Sequence, residues 1–141
     1  MTKNEPVATT LFPVVAAALR RSDGRVLLQR RPQGKTMAGL WEFPGGKMEA
    51  GESPERALAR ELDEELGIAV DLEAMRSAGF ASAPHGERHL VLLLYVVSEW
   101  TGEPRALEAS ELAWASPDEM RALPMPPADE PLVEALVALI G

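Results

Sequence analysis

Glu61, Glu64 and Glu65 stand within five residues of one another. On a helix they fall at i, i+3 and i+4, inside an arc of roughly 100°. Crowding like charges at that spacing costs about 0.2–0.5 kcal/mol per pair. Such a cluster is either a solvated acidic face or a site for a hard cation, since Mg²⁺ and Mn²⁺ take oxygen ligands. The residues just upstream favour the cation. Gly45-Gly46 lets backbone approach a ligand closely, and Lys47 adds a mobile positive charge. Carboxylates, a hard cation and a glycine loop together suit a polyphosphate substrate.

A helix has to carry these carboxylates, and its ends are written in the sequence. Ser53 is a good N-cap, because its hydroxyl can accept from an orphan amide of the first turn. Pro54 fits the first helical position, where its missing N–H is no loss. Glu55 suits the positive end of the helix dipole, and Gly67 is a natural stop. Roughly 13 helical residues lie between these signals, an ordinary length. Leu58, Leu62 and Leu66 form an apolar stripe beside the acidic one. Arg60 is placed to offset Glu64 at i, i+4.

From Gly46 the chain reads five residues, Glu52, seven residues, Arg60-Glu61-Leu62, one residue, Glu64-Glu65, one residue, Gly67-Ile68. This resembles the signature of the Nudix hydrolases at all nine defined positions of its 23 residues. The resemblance implies an α/β chain, a Nudix-type α/β/α sandwich with a mixed central sheet. It also implies divalent-metal-dependent cleavage of a nucleoside diphosphate linked to another group. Outside the signature, the chain is similar to one branch of that family, the MutT-like pyrophosphohydrolases that remove oxidised nucleotides such as 8-oxo-dGTP. That similarity runs from about Phe12 to Leu136, through Arg30-Arg31, the segment Trp41 to Lys47, Arg88-His89, Gly102-Glu103-Pro104 and the segment Pro126 to Pro131.

Carried over position by position, the resemblance implies Gly45, Glu61, Glu64, Glu65 and Glu108 at the metal, with the Gly45 carbonyl as a ligand. Catalysis would rest on Glu61, Glu64 and Glu65, one of which (or Glu108) is the general base, with Arg60 orienting carboxylates. Arg31, Phe43, Gly46, Lys47, Arg88 and Asp129 would bind substrate. Glu52 would brace the loop or ligate metal. The expected cofactor is Mg²⁺, with Mn²⁺ as substitute, and the expected partner is a small nucleotide bound by a monomer.

One position departs from the branch. Asp129 stands where the bacterial pattern for oxidised guanine has Asn. An amide both accepts and donates, so it can pair with the N7–H and O6 of 8-oxoguanine, whereas an ionised Asp only accepts. Asp suits the guanine N1–H and N2–H edge or a cytosine amine, and a protonated Asp could imitate the amide. The local reading of Asp129 alone is a helix N-cap before Pro131. The expected function is therefore release of pyrophosphate from a nucleoside triphosphate, first of oxidised nucleotides such as 8-oxo-dGTP. The alternative is CTP or a modified pyrimidine nucleotide, and a non-catalytic binding module stands last.

Composition sets the frame. A chain of 141 residues, 46% hydrophobic and 26% charged, suits one soluble domain. A flexible lead-in over residues 1–10 and a single domain over 11–141 are expected. The net charge of −8 argues against a nucleic-acid polymer as partner. There is no cysteine, hence no disulfide or thiolate chemistry. No apolar run approaches the ~20 residues of a membrane span. Met-Thr-Lys-Asn-Glu-Pro at the start lacks the form of a signal peptide. A cytoplasmic protein without membrane contact is expected.

The remaining elements follow in order. Leu11 to Leu19 reads as a buried strand, Ser22-Asp23-Gly24 as a turn, and Val26 to Arg31 as a second strand, so the two are expected to form a hairpin. Gly34-Lys35-Thr36 matches the tail of a phosphate-binding P-loop, but Gln29 occupies the place of its upstream glycine, which excludes that site. Leu40 to Phe43 is a short strand, with Glu42 facing away from its aromatic neighbours. Ala69 to Ala81 is an irregular strand, residues 84–87 a turn, and Arg88 to Val97 a central strand. His85 and His89 flank that turn with no cysteine near, so no zinc site is expected. Leu112 to Ala115 is a strand. Ser116-Pro117-Asp118-Glu119 opens a capped helix ending near Leu123. A last helix carries Leu132, Leu136, Leu139 and Ile140 on one face.

Overall fold

The computed structural model describes residues 9–140. The expected lead-in falls mostly outside the described residues, and Thr10 already belongs to the first strand. The elements in order are β1 (Thr10–Leu19), β2 (Val26–Arg30), β3 (Trp41–Glu42), β4 (Gly45–Lys47), α1 (Pro54–Leu66), β5 (Met75–His85), β6 (Arg88–Val97), β7 (Glu111–Ala115), α2 (Pro117–Ala122) and α3 (Glu130–Ile140). A four-stranded mixed sheet runs β4-β1-β6-β5, and a three-stranded antiparallel sheet runs β3-β2-β7.

Strands β1 and β6 pair in parallel over ten residues, from Thr10 opposite Arg88 to Leu19 opposite Val97. Their sequences are apolar almost throughout because both faces are covered. On one face Val15, Ala17, Leu19, Leu27, Tyr95 and Val97 meet Leu58, Leu62 and Leu66 of α1. On the other, Ala16, Ala18, Leu28, Leu92, Leu94 and Val96 meet Met120, Leu132, Val133 and Leu136 from the α2 and α3 side. Helices on both faces of the strands make the α/β/α sandwich that the sequence implies. Each fully buried leucine of α1 contributes about 1.5–3 kcal/mol through lost water contact. Among the described residues no helix is long and apolar enough to cross a membrane.

Four local expectations are corrected. The hairpin of β1 with β2 is not formed: a turn closes between Arg21 and Arg25 and one bridge joins Arg20 to Val26, after which the strands enter different sheets. Gly45–Lys47 is a strand rather than a loop, paired antiparallel to β1 with Ala16 opposite Gly45. The region after α1 is a short 3₁₀ turn at Leu72–Ala74 followed by β5, which carries an irregularity between Ser77 and Gly79 and runs on to His85. On α3 the buried face is formed by Leu132, Val133 and Leu136, with Val137 and Ile140 packed alongside, while Leu139 is exposed. At about 100° per residue that stripe centres near Leu136, and Leu139 lies at its margin.

Candidate active site

Helix α1 has the boundaries its sequence implies. The Ser53 hydroxyl accepts from the Arg56 amide at 3.2 Å, and Gly67 ends the helix in the left-handed conformation, its amide donating to Asp63 O. The helix packs closely against β4. A Cβ on Gly46 would lie 2.4 Å from Cδ of Glu61, so the glycine leaves the space that this carboxylate occupies. Gly45 answers to the other neighbour: a Cβ there would lie 1.9 Å from the Val15 carbonyl oxygen. The two glycines are therefore required by close approach on opposite sides of one strand.

Arg60 gathers the acidic residues. Its Nε donates to Glu52 at 2.7 Å, and its Nη1 donates to Glu61 at 3.0 Å and to Glu64 at 3.4 Å. Nη2 donates to Glu52 at 2.9 Å and to the Lys47 carbonyl at 3.0 Å. Glu52 also accepts from the Glu49 amide at 2.8 Å, so it braces the loop, and Arg60 holds its carboxyl down at about 2. Glu61 is largely covered and Glu64 half-exposed.

Glu65 is buried on the side facing the sheet. It accepts from Nε2 of Gln29 and adjoins Glu61. Burial, with the neighbouring carboxylates Glu61 and Glu42 adding to it, drives its carboxyl far above the usual range. Among the described residues no three acidic or histidine side chains are already gathered around a point an ion could fill. The donor chemistry nevertheless fits a hard divalent cation. Glu61 and Glu65 are adjoining oxygen donors whose mutual repulsion such a charge would relieve, and Gly46, next to Gly45 on β4, lies against Glu61. Glu108 sits on an exposed loop whose backbone is tied to the end of α1: the Leu107 amide donates to Glu65 O at 3.2 Å and the Arg105 amide to Leu66 O at 3.0 Å.

A cleft of about 520 Å³ opens beside Gly45 and Gly46 and extends to the segment before α3. Of the residues expected to bind substrate, Arg31, Phe43, Gly46, Lys47, Arg88 and Asp129 all line it. Arg31 is engaged within the wall, donating to both oxygens of Glu42 at 3.1 and 3.2 Å and to the Thr36 carbonyl at 2.7 Å. Burial raises the Glu42 carboxyl against the pull of Arg31. Glu111, beyond Glu108 in the chain, is exposed and accepts from Arg30 at 2.9 Å.

Asp129 lines the cleft and is buried. It occupies the N-cap position of α3, but its carboxylate does not cap the helix. It accepts instead from the Phe43 amide at 3.4 Å, while the Leu132 amide takes the Asp129 carbonyl at 3.0 Å. Burial, then the charge of Glu42, pushes the Asp129 carboxyl up to about 7.

Two residues of the site have no role in the sequence reading. Phe12 lines the cleft with the Arg88 guanidinium 4.0 Å and the Lys47 ammonium 5.6 Å from its ring centre, so one ring carries two cations at the mouth. Gln29 is the buried amide on Glu65. A polar residue following Leu27 on the buried face of a strand was the available signal for it.

The NUDIX domain family matches this chain over residues 10–136. The chain is a Nudix hydrolase. Its similarity to the CTP pyrophosphohydrolase of Escherichia coli strain K12 is 44% identity, covering 92% of this chain and 93% of that one. Similarity to the 8-oxo-dGTP diphosphatase of Haemophilus influenzae is 37%, covering 90% and 92%. The solution structure of the E. coli ORF135 protein superposes on the Nudix fold described above with a TM-score of 0.86 at 40% identity, covering 96% of this chain and 95% of that one. Hydrolases of this family generally need a divalent metal.

Proposed function

We propose that this Nudix hydrolase converts a nucleoside triphosphate to the monophosphate and pyrophosphate, using Mg²⁺ with Mn²⁺ as substitute. The observation that carries this reading is the adjoining Glu61–Glu65 carboxylate pair, with Glu61 packed against Gly46. The glutamates stand behind the cleft wall rather than lining it, and Gly46 lines the cleft together with Asp129. That layout suits a substrate with a polyphosphate at one end and a hydrogen-bonding ring at the other. Glu61, Glu64, Glu65 and the Gly45 carbonyl, with Glu108 as a further candidate, would hold a divalent cation, which when bound would supply positive charge to the phosphates and acidify water.

The chain's own groups do the rest. Arg60 fixes the Glu61 rotamer by its 3.0 Å hydrogen bond. Lys47 and Arg88, on either side of Phe12, offer positive charge to phosphate oxygens. Phe43 packs against the base, and Arg31 holds the wall by its pairing with Glu42. A carboxylate of the α1 cluster accepts the proton of the attacking water.

For the base, Asp129 supports a cytosine-type edge first. With one oxygen on the Phe43 amide, the carboxylate keeps lone pairs for an exocyclic amine. The likeness to the CTP pyrophosphohydrolase of E. coli points the same way. The pyrimidine alternative is thereby put ahead of the oxidised purine expected first from the sequence, while other relatives are 8-oxo-dGTP diphosphatases. Oxidised guanine is the second reading, favoured because a carboxyl raised to about 7 is partly protonated near neutrality and can then donate as an amide does. The test is pyrophosphate release with Mg²⁺ from CTP, 5-methyl-dCTP, dGTP and 8-oxo-dGTP at low substrate concentration. A higher kcat/KM for the cytosine nucleotides supports the first reading, and a higher value for 8-oxo-dGTP replaces it with the second. No release from any nucleotide overturns the reaction itself.

A further inference from the structure

Strand β2 presents Leu27 and Gln29 to the same side, the side on which Leu27 packs against Leu58, Leu62 and Leu66. Continuing that face would call for another apolar residue. Gln29 stands there instead and is only 5% exposed. Its Nε2 donates to Glu65, and its amide lies beside Glu42, its cross-strand partner on β3. Two carboxylates decide which end of the amide faces them, because only the NH₂ end can donate. The Oε1 end is thereby turned away from both. Oε1 is buried and has no hydrogen-bond partner, the one such side-chain acceptor among the described residues. An amide packed this deeply with half its hydrogen bonding unmet is a poor choice for packing alone. It makes sense where a further donor enters the site, and buried waters commonly satisfy such groups.

We propose that Gln29 is a positioning residue of the carboxylate centre. Its amide NH₂ sets the Glu65 rotamer against Glu61, and its Oε1 accepts from an ordered water beside the pair. It acts through Glu65 and touches neither substrate nor cation. The inference rests on the divalent-cation reading of the site given above. Outer groups of this kind typically change cation affinity by about ten- to hundred-fold when removed.

The test is Mn²⁺ binding by the full chain without nucleotide, followed by the electron paramagnetic resonance of free Mn²⁺, with thermal melting of the cation-free protein alongside. Gln29→Met keeps length and removes both polar ends. It is expected to weaken the Mn²⁺ Kd by about ten-fold or more. The cation-free melting temperature should stay level or rise, because an unmet acceptor is gone from the interior. Turnover should fall through kcat, with KM little changed. If Gln29→Met does not fold, Gln29→Ala is expected to show the same loss of Mn²⁺ affinity. Equal Mn²⁺ affinity in wild type and variant overturns this proposal alone, whether or not the melting temperature drops. A wild type that binds no Mn²⁺ overturns it together with the metal reading.

Discussion

Glu65 and Asp129 are both buried carboxyls, and burial is the leading cause that lifts each above the usual range. They stand on opposite sides of the sheet, Glu65 on the α1 side and Asp129 on the α3 side where it lines the cleft. Glu65 belongs to α1 and is surrounded by other acids: Glu61 adjoins it and Glu42 faces it across Gln29. Asp129 precedes α3, with a single backbone amide on it and a cleft before it. The same unfavourable burial thus has two settings. In the proposed reading the crowded carboxylates concentrate negative charge for a cation, while Asp129, which feels Glu42 and Arg31 but has only one amide on it, keeps lone pairs for a ring. That reading puts chemistry on the α1 side and selection on the α3 side, and substitutions should separate the two.

Glu61→Gln carries the largest expected effect. Removing one charge from the pair should lower kcat/KM by more than the ten- to hundred-fold typical of outer groups, with circular dichroism unchanged. The ratio between nucleotides should not move. Gly46→Ala comes next. A new Cβ would meet the Glu61 carboxylate at 2.4 Å and displace it, so activity should fall at least ~10-fold toward every nucleotide, measured as pyrophosphate release. If either variant altered base preference, the two sides would not be independent.

Asp129→Asn should do the converse. The ratio of kcat/KM for CTP over 8-oxo-dGTP is expected to fall by roughly 10- to 100-fold while metal affinity stays the same. An unchanged ratio would remove Asp129 as the reader of the base. The smallest effect is on stability. A carboxyl near its ordinary value of 3.8 when unfolded and at about 7 when folded binds its proton more tightly in the fold. Stability is therefore lost as pH rises between those two values. Asn does not titrate, so Asp129→Asn should match wild type near pH 4 and melt higher at pH 8. The difference is at most about 4 kcal/mol, each tenfold in proton affinity being worth about 1.4 kcal/mol. Parallel melting curves across that range would contradict the assignment.

Helix α1 could be read to the residue, because Ser53, Pro54 and Gly67 are local signals and act over three or four positions. The apolar runs of β1 and β6 declared buried strands for the same reason. What the sequence could not show was pairing. Ser22-Asp23-Gly24 marks a turn whatever follows it, and strands covered on both faces lack the alternation that would say which neighbour each takes. Hence β1 was matched to β2 rather than to β6 and β4. The site divides likewise. Residues of the Nudix signature and the lining positions Arg31, Phe43, Lys47, Arg88 and Asp129 were legible through resemblance. Gln29 and Phe12 were not, since each owes its place to a partner 36 or more positions away in sequence.

The segment before α3 bears proline at 124, 126 and 127, and the first turn of the helix carries another at 131. In a helix beginning at Glu130, the N-cap side chain would seek the amide of Pro131 or Leu132. Proline has none, and Leu132 already gives its own to the Asp129 backbone carbonyl. A shortage of donors in its own loop is thus what releases the Asp129 carboxylate to look across the cleft. Restoring an amide with Pro131→Ala would offer that carboxylate a local partner, and the enzyme would lose discrimination between bases without any change to a residue lining the cleft.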